Sequence, residues 1–151
     1  MTRTVEASKG LLKALRADRE VLSVNAYLSS EERMYMVEVS SAKVLKELNP
    51  DFSRLRREEA TAVIVTARSS QENLDFVSRF FAPSLGIDED PVTGSAHCYL
   101  TPYWAQKLGK NELVGYQASR RGGIVKCELH EDKVLVKGKA VTVLKGDLVN
   151  C

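Results

Sequence analysis

The sequence contains few of the features that mark secreted or nucleic-acid-binding proteins. It has three cysteines in 151 residues, at wide spacing and without a CxxC pair, which argues against a disulfide framework and a zinc site. Two of them, Cys98 and Cys127, are interpreted as small core residues. The formal net charge is only +2, and basic residues are interleaved with acidic ones, so we expect no basic surface for a nucleic acid.

Long apolar runs and localisation signals are also missing. No run approaches the roughly 20 apolar residues that cross a bilayer. The first residues are polar and charged, whereas a signal peptide has an apolar segment. We therefore expect a cytoplasmic protein with no membrane partner and no nucleic-acid partner.

Signatures of the common cofactor-dependent and hydrolytic enzymes are missing as well. The chain has no Walker A loop, no GxGxxG stretch, no GxSxG elbow and no HExxH pair. We predict that it uses no metal and no cofactor. Both histidines are interpreted structurally, His97 as a core residue of a helix and His130 as an exposed turn residue.

What the sequence does contain is the pattern of one globular α+β domain. Hydrophobic residues make up 44% and charged residues 28% of the chain, so we predict a single domain over residues 1–151. The apolar periodicity predicts about seven strands and three helices, without regular alternation between the two. Strands are predicted at 21–29, 33–40, 60–68, 74–83, 113–120, 122–132 and 133–148, with a hairpin turn at 30–32. Helices are predicted at 4–15 with Thr4 as cap, at 41–48 with Ser41 as cap, and at 94–108.

The third helix has an unusual composition, because residues 95–106 contain no Asp, Glu, Lys or Arg. A helix without a charged face is usually buried on all sides. We therefore predict a curled, mostly antiparallel sheet that wraps a central hydrophobic helix. Gly109 is expected to end this helix.

The stretch GIDEDPVTGSAHC leads into this helix and carries the clearest functional signal. A helix that begins at a Thr-Gly-Ser turn offers unpaired N–H groups and a positive dipole end, which suit a carboxylate or phosphate. The candidate ligand groups are Thr93, Gly94 and Ser95, with Asp90 held beside them by Pro91. The same pattern also fits a plain helix cap with solvated acids. The charge-free helix favours a binding site, because its first turn would open at the mouth of the curled sheet.

Two stretches of this sequence resemble the phenazine-biosynthesis isomerase (PhzF-like) family, which shares its fold with diaminopimelate epimerase. They are FFAPSLGIDEDPVTGSAHCYLTPYWAQKLGK and, further along, GYQASRRGG. The resemblance implies two pseudo-symmetric lobes, each a curled sheet around a central helix, with the active site between them. It also implies cofactor-independent proton transfer on a small carboxylated substrate. This chain matches the C-terminal lobe only.

The resemblance assigns roles to individual residues. Asp90 matches the acid of the C-terminal lobe that holds substrate and assists proton transfer. The turn that binds a substrate carboxylate corresponds to Thr93, Gly94 and Ser95, and a loop near the cleft corresponds to Arg121, Gly122 and Gly123. From the residues alone, the arginines could equally be ordinary hairpin charges. The family's principal acid/base is a glutamate in an N-x-S-E-T stretch of the N-terminal lobe, and this chain has no such stretch.

Two hypotheses follow for a chain that matches one lobe. In the first, two copies pair as a homodimer and form a composite cleft with Asp90 from each chain, which catalyses an isomerisation or epimerisation. In the second, the chain is a non-catalytic lobe that binds small carboxylates or pairs with a separate chain equivalent to the N-terminal lobe. An apolar surface that would meet the missing lobe predicts self-association.

Overall fold

A computed structural model describes residues 2–4, 8–17, 19–29 and 33–147 of the chain. These residues form eight strands, four α-helices and one short 3₁₀-helix at Pro83–Leu85. The strands are β1 (Thr2–Thr4), β2 (Val21–Leu28), β3 (Arg33–Val39), β4 (Ala62–Arg68), β5 (Phe76–Phe81), β6 (Glu112–Gln117), β7 (Gly123–His130) and β8 (Lys133–Lys137). The helices are α1 (Lys9–Leu15), α2 (Ala42–Glu47), α3 (Phe52–Leu55) and α4 (Gly94–Leu108).

The predicted α+β class is confirmed, with several corrections to individual elements. Thr4 lies in β1 and does not cap α1, because the Ser8 hydroxyl accepts from the Leu11 N–H 3.0 Å away and starts the helix there. Ser41 caps α2 as predicted. The last predicted strand is too long: it ends at Lys137, and residues 138–147 have no regular structure. The predicted turn at 30–32 lies outside the described residues.

All eight strands form one sheet, and each strand pairs with its neighbours in the sequence. Most pairs are antiparallel, but β3–β4 and β5–β6 are parallel. A parallel pair needs a crossover connection, because the chain must return to the same end of the sheet. The first crossover contains α2 and α3, and the second contains α4. The sequence between β5 and β6 therefore places α4 against one face of the sheet.

The central strands of the sheet are buried on both faces by two separate hydrophobic cores. On one face Val63 and Val65 of β4 pack with α1, α2 and α3. On the other face Ile64 of β4 and Phe76 of β5 pack against α4. Because successive residues of a strand point to opposite faces, β4 needs apolar residues at nearly every position, which explains its continuous apolar run.

Polar contacts fix α4 against the sheet at the end of the helix far from Gly94. Trp104, fully buried, donates its indole N–H to the Thr66 hydroxyl at 3.0 Å. The Tyr103 hydroxyl donates to Glu38 at 2.5 Å, and Lys107 forms an ion pair with the same carboxylate. These contacts hold the helix in one orientation, so its first turn occupies a fixed place at the opposite end of the sheet.

The expectation that α4 is buried on all sides is only half right. Its buried side carries Ala96, His97, Leu100, Thr101, Trp104 and Ala105. Its other side is exposed at Ser95, Cys98, Pro102 and Gln106, which recur at helical spacing. Cys98 is therefore not a core residue, whereas Cys127 is. The sheet curls around one face of the helix and leaves an uncharged face open.

None of the described helices has both the length and the apolar character that a membrane span requires.

Candidate functional site

The acidic residues lie in a short loop, residues 88–93, which we call the acid loop. It connects the 3₁₀-helix to the first turn of α4. Gly86 turns the chain at φ 84°, and Ile87 returns to pair with Ala82 at the end of β5. The Asp90 N–H then donates to the Phe80 carbonyl at 3.0 Å. The backbone of the acid loop is thus attached to the sheet next to the helix N-terminus.

The three carboxylates of this loop have different partners. Asp88 pairs with Arg56 at 3.2 Å, and both side chains are more than half exposed. Glu89 pairs with Arg79 through two contacts of 2.7 and 3.0 Å, in a largely buried position. Among the described residues no lysine or arginine pairs with Asp90. Asp90 is therefore the carboxylate of the loop that has no cation to neutralise it.

Arg79 explains why Glu89 has a structural role. Besides the carboxylate, its guanidinium donates to the Leu45 and Leu48 carbonyls at the end of α2, at 3.3 and 2.6 Å. It also lies over the Phe81 ring, 4.9 Å from the centroid. A bidentate arginine with this many partners holds one geometry. The ion pair therefore ties the acid loop to the helices on the other face of the sheet.

A buried glutamine of β6 holds the acid loop from the opposite side. The Gln117 side chain is fully buried, and its Nε2 donates to the Asp90 carbonyl at 2.8 Å and to Thr93 Oγ1 at 3.1 Å. Its Oε1 accepts from the Thr93 N–H at 2.8 Å. The Thr93 hydroxyl in turn donates to Asp90 Oδ2. One side chain thus contacts both ends of the segment that contains the unpaired acid.

The hairpin between β6 and β7 adds further contacts to the acid loop. The Ser119 hydroxyl donates to the Pro91 carbonyl at 2.7 Å and accepts from the Gly122 N–H at 3.0 Å. A Cβ on Gly123 would lie 2.5 Å from Val92 Cγ2, so glycine is needed for the close approach. The hairpin predicted to lie near the cleft does lie beside the acid loop.

Arg121 and Gly122, both predicted to contact substrate, lie in the turn of this hairpin. Arg121 is exposed, as is Arg120, and neither forms an ion pair with another described residue. Gly122 adopts φ 71°, and a Cβ there would collide with the Tyr116 hydroxyl. Gly122 therefore shapes the turn, and the turn carries two exposed arginines that form no ion pair with a described residue.

The first turn of α4 is open to solvent. Gly94 and Ser95 are exposed, and the Thr93 side chain does not cap the helix. A Cβ built on Gly94 would have no atom of the described residues within 4 Å, so none of them requires glycine there. The N–H groups of a first turn have no partner within the helix, and the helix dipole favours an anion beside them. The arrangement is therefore a carboxylate next to an open helix N-terminus.

His97 lies under this terminus and is a core residue, as predicted. It is fully buried, and its Nδ1 lies 2.8 Å from the Thr93 carbonyl, which can only accept. The Nδ1 atom therefore carries the proton in the neutral ring. Burial lowers the pKa of His97 below the usual range of histidine. Its Nε2 has no hydrogen-bond partner in the described part of the chain, and neither does the buried Ser78 hydroxyl.

Large exposed apolar residues flank the site in the sequence. Leu85 and Ile87, just before the acid loop, are 65% and 50% exposed. Ile124, next to Gly123, is 56% exposed, but it pairs with Tyr116 and therefore points to the sheet face opposite α4. Exposed apolar groups of this size often mark a surface that contacts another protein. In the regions that the structure describes, no group of three or more His, Cys, Asp and Glu side chains converges as a metal site would require.

Sequence reasoning found Asp90 and the helix terminus but missed the two residues that support them, Gln117 and Ser119. A signal for Gln117 was present. Residues 113, 115 and 117 alternate inward on β6, so the glutamine occupies a core position. A buried amide needs hydrogen-bond partners, which points to nearby backbone or hydroxyl groups.

Comparison with known proteins agrees with this architecture. The family model described as phenazine biosynthesis-like protein matches residues 2–146. An uncharacterised isomerase of Halalkalibacterium halodurans is 50% identical over 123 residues, which cover 82% of this chain and 46% of that protein. A phenazine biosynthesis-like domain-containing protein of Rattus norvegicus is 38% identical over 152 residues, covering 93% of this chain and 52% of that protein.

Solved structures show the same relationship. A PhzF-family protein of Enterococcus faecalis superposes with a TM-score of 0.77 at 34% identity, covering 93% of this chain and 52% of that one. A putative PhzC/PhzF protein of Clostridium difficile gives 0.80 at 37% identity, covering 98% and 54%. The chain thus spans about half the length of the relatives it matches, and its fold is of the diaminopimelate-epimerase type. By sequence and by structure, this chain belongs to the phenazine biosynthesis-like (PhzC/PhzF) family.

Proposed function

We propose that this chain supplies one half of an isomerase active site that acts on a small carboxylated substrate by proton transfer, without a cofactor. The observation that carries the proposal is the state of Asp90. It is the carboxylate of the acid loop without a cationic partner, and it is held beside the open first turn of α4. The names of the relatives, which include uncharacterised isomerases, support the reaction class.

In this proposal the helix terminus binds the substrate carboxylate. The N–H groups of Gly94 and Ser95 donate to its oxygens, and the helix dipole stabilises its charge. The Ser95 hydroxyl is a further donor. The exposed guanidinium of Arg121 adds positive charge at the rim of the site. A substrate held in this way presents the carbon next to its carboxylate to Asp90, which the acid loop holds beside this turn.

The chemical step moves a proton between carbon positions or between the two faces of one carbon. An ionised carboxylate removes the proton from carbon, and a second, protonated acid returns one, so charge and electrons balance. Asp90 can fill one of these roles. The second acid must come from outside this mouth, since the other two carboxylates of the loop are paired with arginines.

We propose that the second acid is Asp90 of another copy, in a homodimer that closes the two mouths against each other. A two-fold axis makes the same patch meet itself, so two helix termini and two acids would face one cleft. The exposed apolar side chains of Leu85 and Ile87, just before the acid loop, support this contact, because their burial would favour association.

The test follows exchange of carbon-bound protons in D₂O by ¹H NMR, with a panel of small carboxylic acids that carry an acidic C–H. We expect the wild-type chain to exchange at least one of them and the Asp90→Asn variant to exchange none. The matched control is Asp88→Asn, two positions away and exposed, which should keep wild-type exchange. Equal exchange by wild type and Asp90→Asn contradicts the proposal.

The dimer has its own test. Analytical ultracentrifugation should give a dimer for the wild type and a monomer for Ile87→Lys, which puts a charge among the exposed apolar residues before the acid loop. Exchange activity should fall with the dimer fraction. A strictly monomeric wild type that still exchanges protons would contradict the composite cleft.

A second candidate function is a non-catalytic lobe that binds carboxylates or pairs with a separate chain. It is favoured by one observation: the chain spans about half the length of its relatives. It predicts that the wild type binds small carboxylates but exchanges no proton until a chain equivalent to the other half is added.

A further inference from the structure

We propose that Thr93 is a positioning residue for Asp90 and not a substrate ligand, and that Gln117 makes it so by fixing the direction of the Thr93 hydroxyl. The inference rests on the proposed function in one respect, namely that Asp90 is the reacting acid. It revises the expectation that the Thr93 hydroxyl contacts a substrate carboxylate. The direction of each hydrogen bond follows from which atoms can donate a proton and which can only accept one.

The first step fixes the orientation of the Gln117 amide. The two ends of a glutamine amide look alike in most structures, so their assignment needs a chemical reason. Here the reason is the backbone of Thr93: its N–H can only donate, so the amide atom 2.8 Å from it must be Oε1. The carbonyl of Asp90 can only accept, so the amide atom 2.8 Å from it must be Nε2. Both contacts require the same orientation.

The second step fixes the Thr93 hydroxyl. With the amide in this orientation, Nε2 lies 3.1 Å from Thr93 Oγ1 and can only donate to it. The hydroxyl has one proton, which remains available for another partner. Its partner is Asp90 Oδ2, and an ionised carboxylate can only accept. The direction of every bond in the chain from Gln117 through Thr93 to Asp90 is therefore determined.

Thr93 has no hydrogen-bond donor left for a ligand. The Thr93 N–H is bonded to Gln117, its hydroxyl is bonded to both Gln117 and Asp90, and its carbonyl is bonded to His97 Nδ1. All polar groups of Thr93 are thus used within the protein. A substrate carboxylate has to rely on Gly94 and Ser95, which are exposed. Asp90 Oδ1 has no hydrogen bond to any described residue and stays available to react.

The fully buried position of Gln117 makes this arrangement rigid. Its hydrogen bonds have no competition from solvent, and the loss of one would leave a buried polar group without a partner. A hydrogen bond from a hydroxyl to an ionised carboxylate is among the stronger kinds, so the bound oxygen of Asp90 keeps its place while the other reacts. This is the support that an acid/base residue needs.

The first experiment requires no turnover. In the wild-type chain, ¹H NMR should show the Thr93 hydroxyl proton in slow exchange with water, and saturating succinate should leave this slow exchange intact, although the nearby charge shifts the signal. In Gln117→Glu, which cannot donate to Thr93, the signal should be lost. Loss of the slow exchange on titration of the wild type with succinate would show that the hydroxyl leaves Asp90 for the ligand and would overturn the proposal.

The second experiment separates positioning from binding through the kinetics of proton exchange. Thr93→Val keeps the shape of the side chain and removes the hydroxyl. We expect kcat to fall roughly ten- to hundredfold, as for small misplacements of a catalytic group, with KM nearly unchanged. Thr93→Ser should restore kcat, because it restores the hydroxyl. A rise in KM with unchanged kcat would mean that the hydroxyl binds substrate.

The two experiments fail in different ways. If no sample exchanges protons, the proposed function fails, and the hydroxyl signal still decides the direction of the hydrogen bonds. If Gln117→Glu does not fold, the response of the wild-type hydroxyl to succinate and the Thr93 variants remain decisive. If the wild type exchanges protons but Thr93→Val behaves as wild type, the positioning role is wrong while the proposed function stands.

Discussion

In the Gly94→Ala variant we expect carboxylate binding to weaken while the stability of the fold is unchanged or slightly higher. Gly94 is the first residue of α4, and a Cβ there would have no atom within 4 Å. The added methyl group therefore collides with none of the residues that the structure describes. Alanine also loses less conformational freedom than glycine in a helix, which stabilises by at most about 1 kcal/mol. What the methyl group is expected to obstruct is a ligand on the first turn.

The expected loss of affinity follows from the hydrogen bonds at this turn. A hydrogen bond to a charged group contributes about 1.5–3 kcal/mol. If the methyl group displaces the carboxylate from one N–H, binding should weaken roughly ten- to hundredfold, since about 1.4 kcal/mol corresponds to tenfold. NMR titration of the ¹⁵N-labelled chain with succinate measures the affinity, and thermal unfolding measures the stability.

Gly138→Ala is a matched control for this prediction. Gly138 also has open space around its Cβ position, and it follows β8, outside the acid loop and α4. We expect this variant to bind succinate as the wild type does. Succinate binding by Gly94→Ala within twofold of wild type would refute the reasoning, because it would show that no carboxylate lies on this turn. A clear loss of stability in Gly94→Ala alone would show that glycine is needed for the fold.

Three further predictions concern stability. Because the pKa of His97 is lowered in the folded state, the unfolded chain binds the proton at a higher pH, so the free energy of unfolding should fall as pH drops below about 6.5. His97→Gln should reduce the difference in the free energy of unfolding between pH 7 and pH 5, measured by denaturant titration; an unchanged difference would contradict the assignment. In urea titrations, Glu89→Gln should lower the free energy of unfolding by about 2–4 kcal/mol, because it leaves the largely buried Arg79 without its charge partner. Asp88→Asn, at an exposed position, should lower it by at most about 1 kcal/mol; similar losses for the two variants would argue against the structural role of Glu89. Gly122→Ala should lower the Tm through a cost of about 1–2 kcal/mol, because φ is 71° and the added Cβ meets a tyrosine hydroxyl; a wild-type Tm would show that the turn has a different shape.

Local signals in the sequence were enough to place α4. Gly94 and Gly109 mark its ends, and the structure has the helix at Gly94–Leu108 with Gly109 in the left-handed conformation. The position of Asp90 before the turn also follows from the chain itself, because both are within a few residues of each other. Features of this kind depend on residues that are close together in the sequence, so the sequence alone predicts them.

Features that depend on distant residues were not visible. The open face of α4 was missed because a helix without charged residues can be buried on every side, but its composition does not say how far the sheet extends around it. The partners of Asp88 and Glu89 are 32 and 10 residues away, and only the fold shows that both are arginines. The role of Gln117 likewise required the parallel register of β5 and β6, which sets it beside the acid loop.

The order of the strands has a consequence for how this protein comes to be assembled. Because each strand pairs with the next in sequence, the sheet can grow stepwise as the chain is synthesised. The acid loop differs, since its support comes from Gln117 and Ser119, which are 27 and 28 residues downstream of Asp90 and Pro91. A nascent chain that ends before β6 would already carry Asp90 but would lack the residues that hold it. The capacity to bind or react should therefore appear late, after most of the sheet has formed.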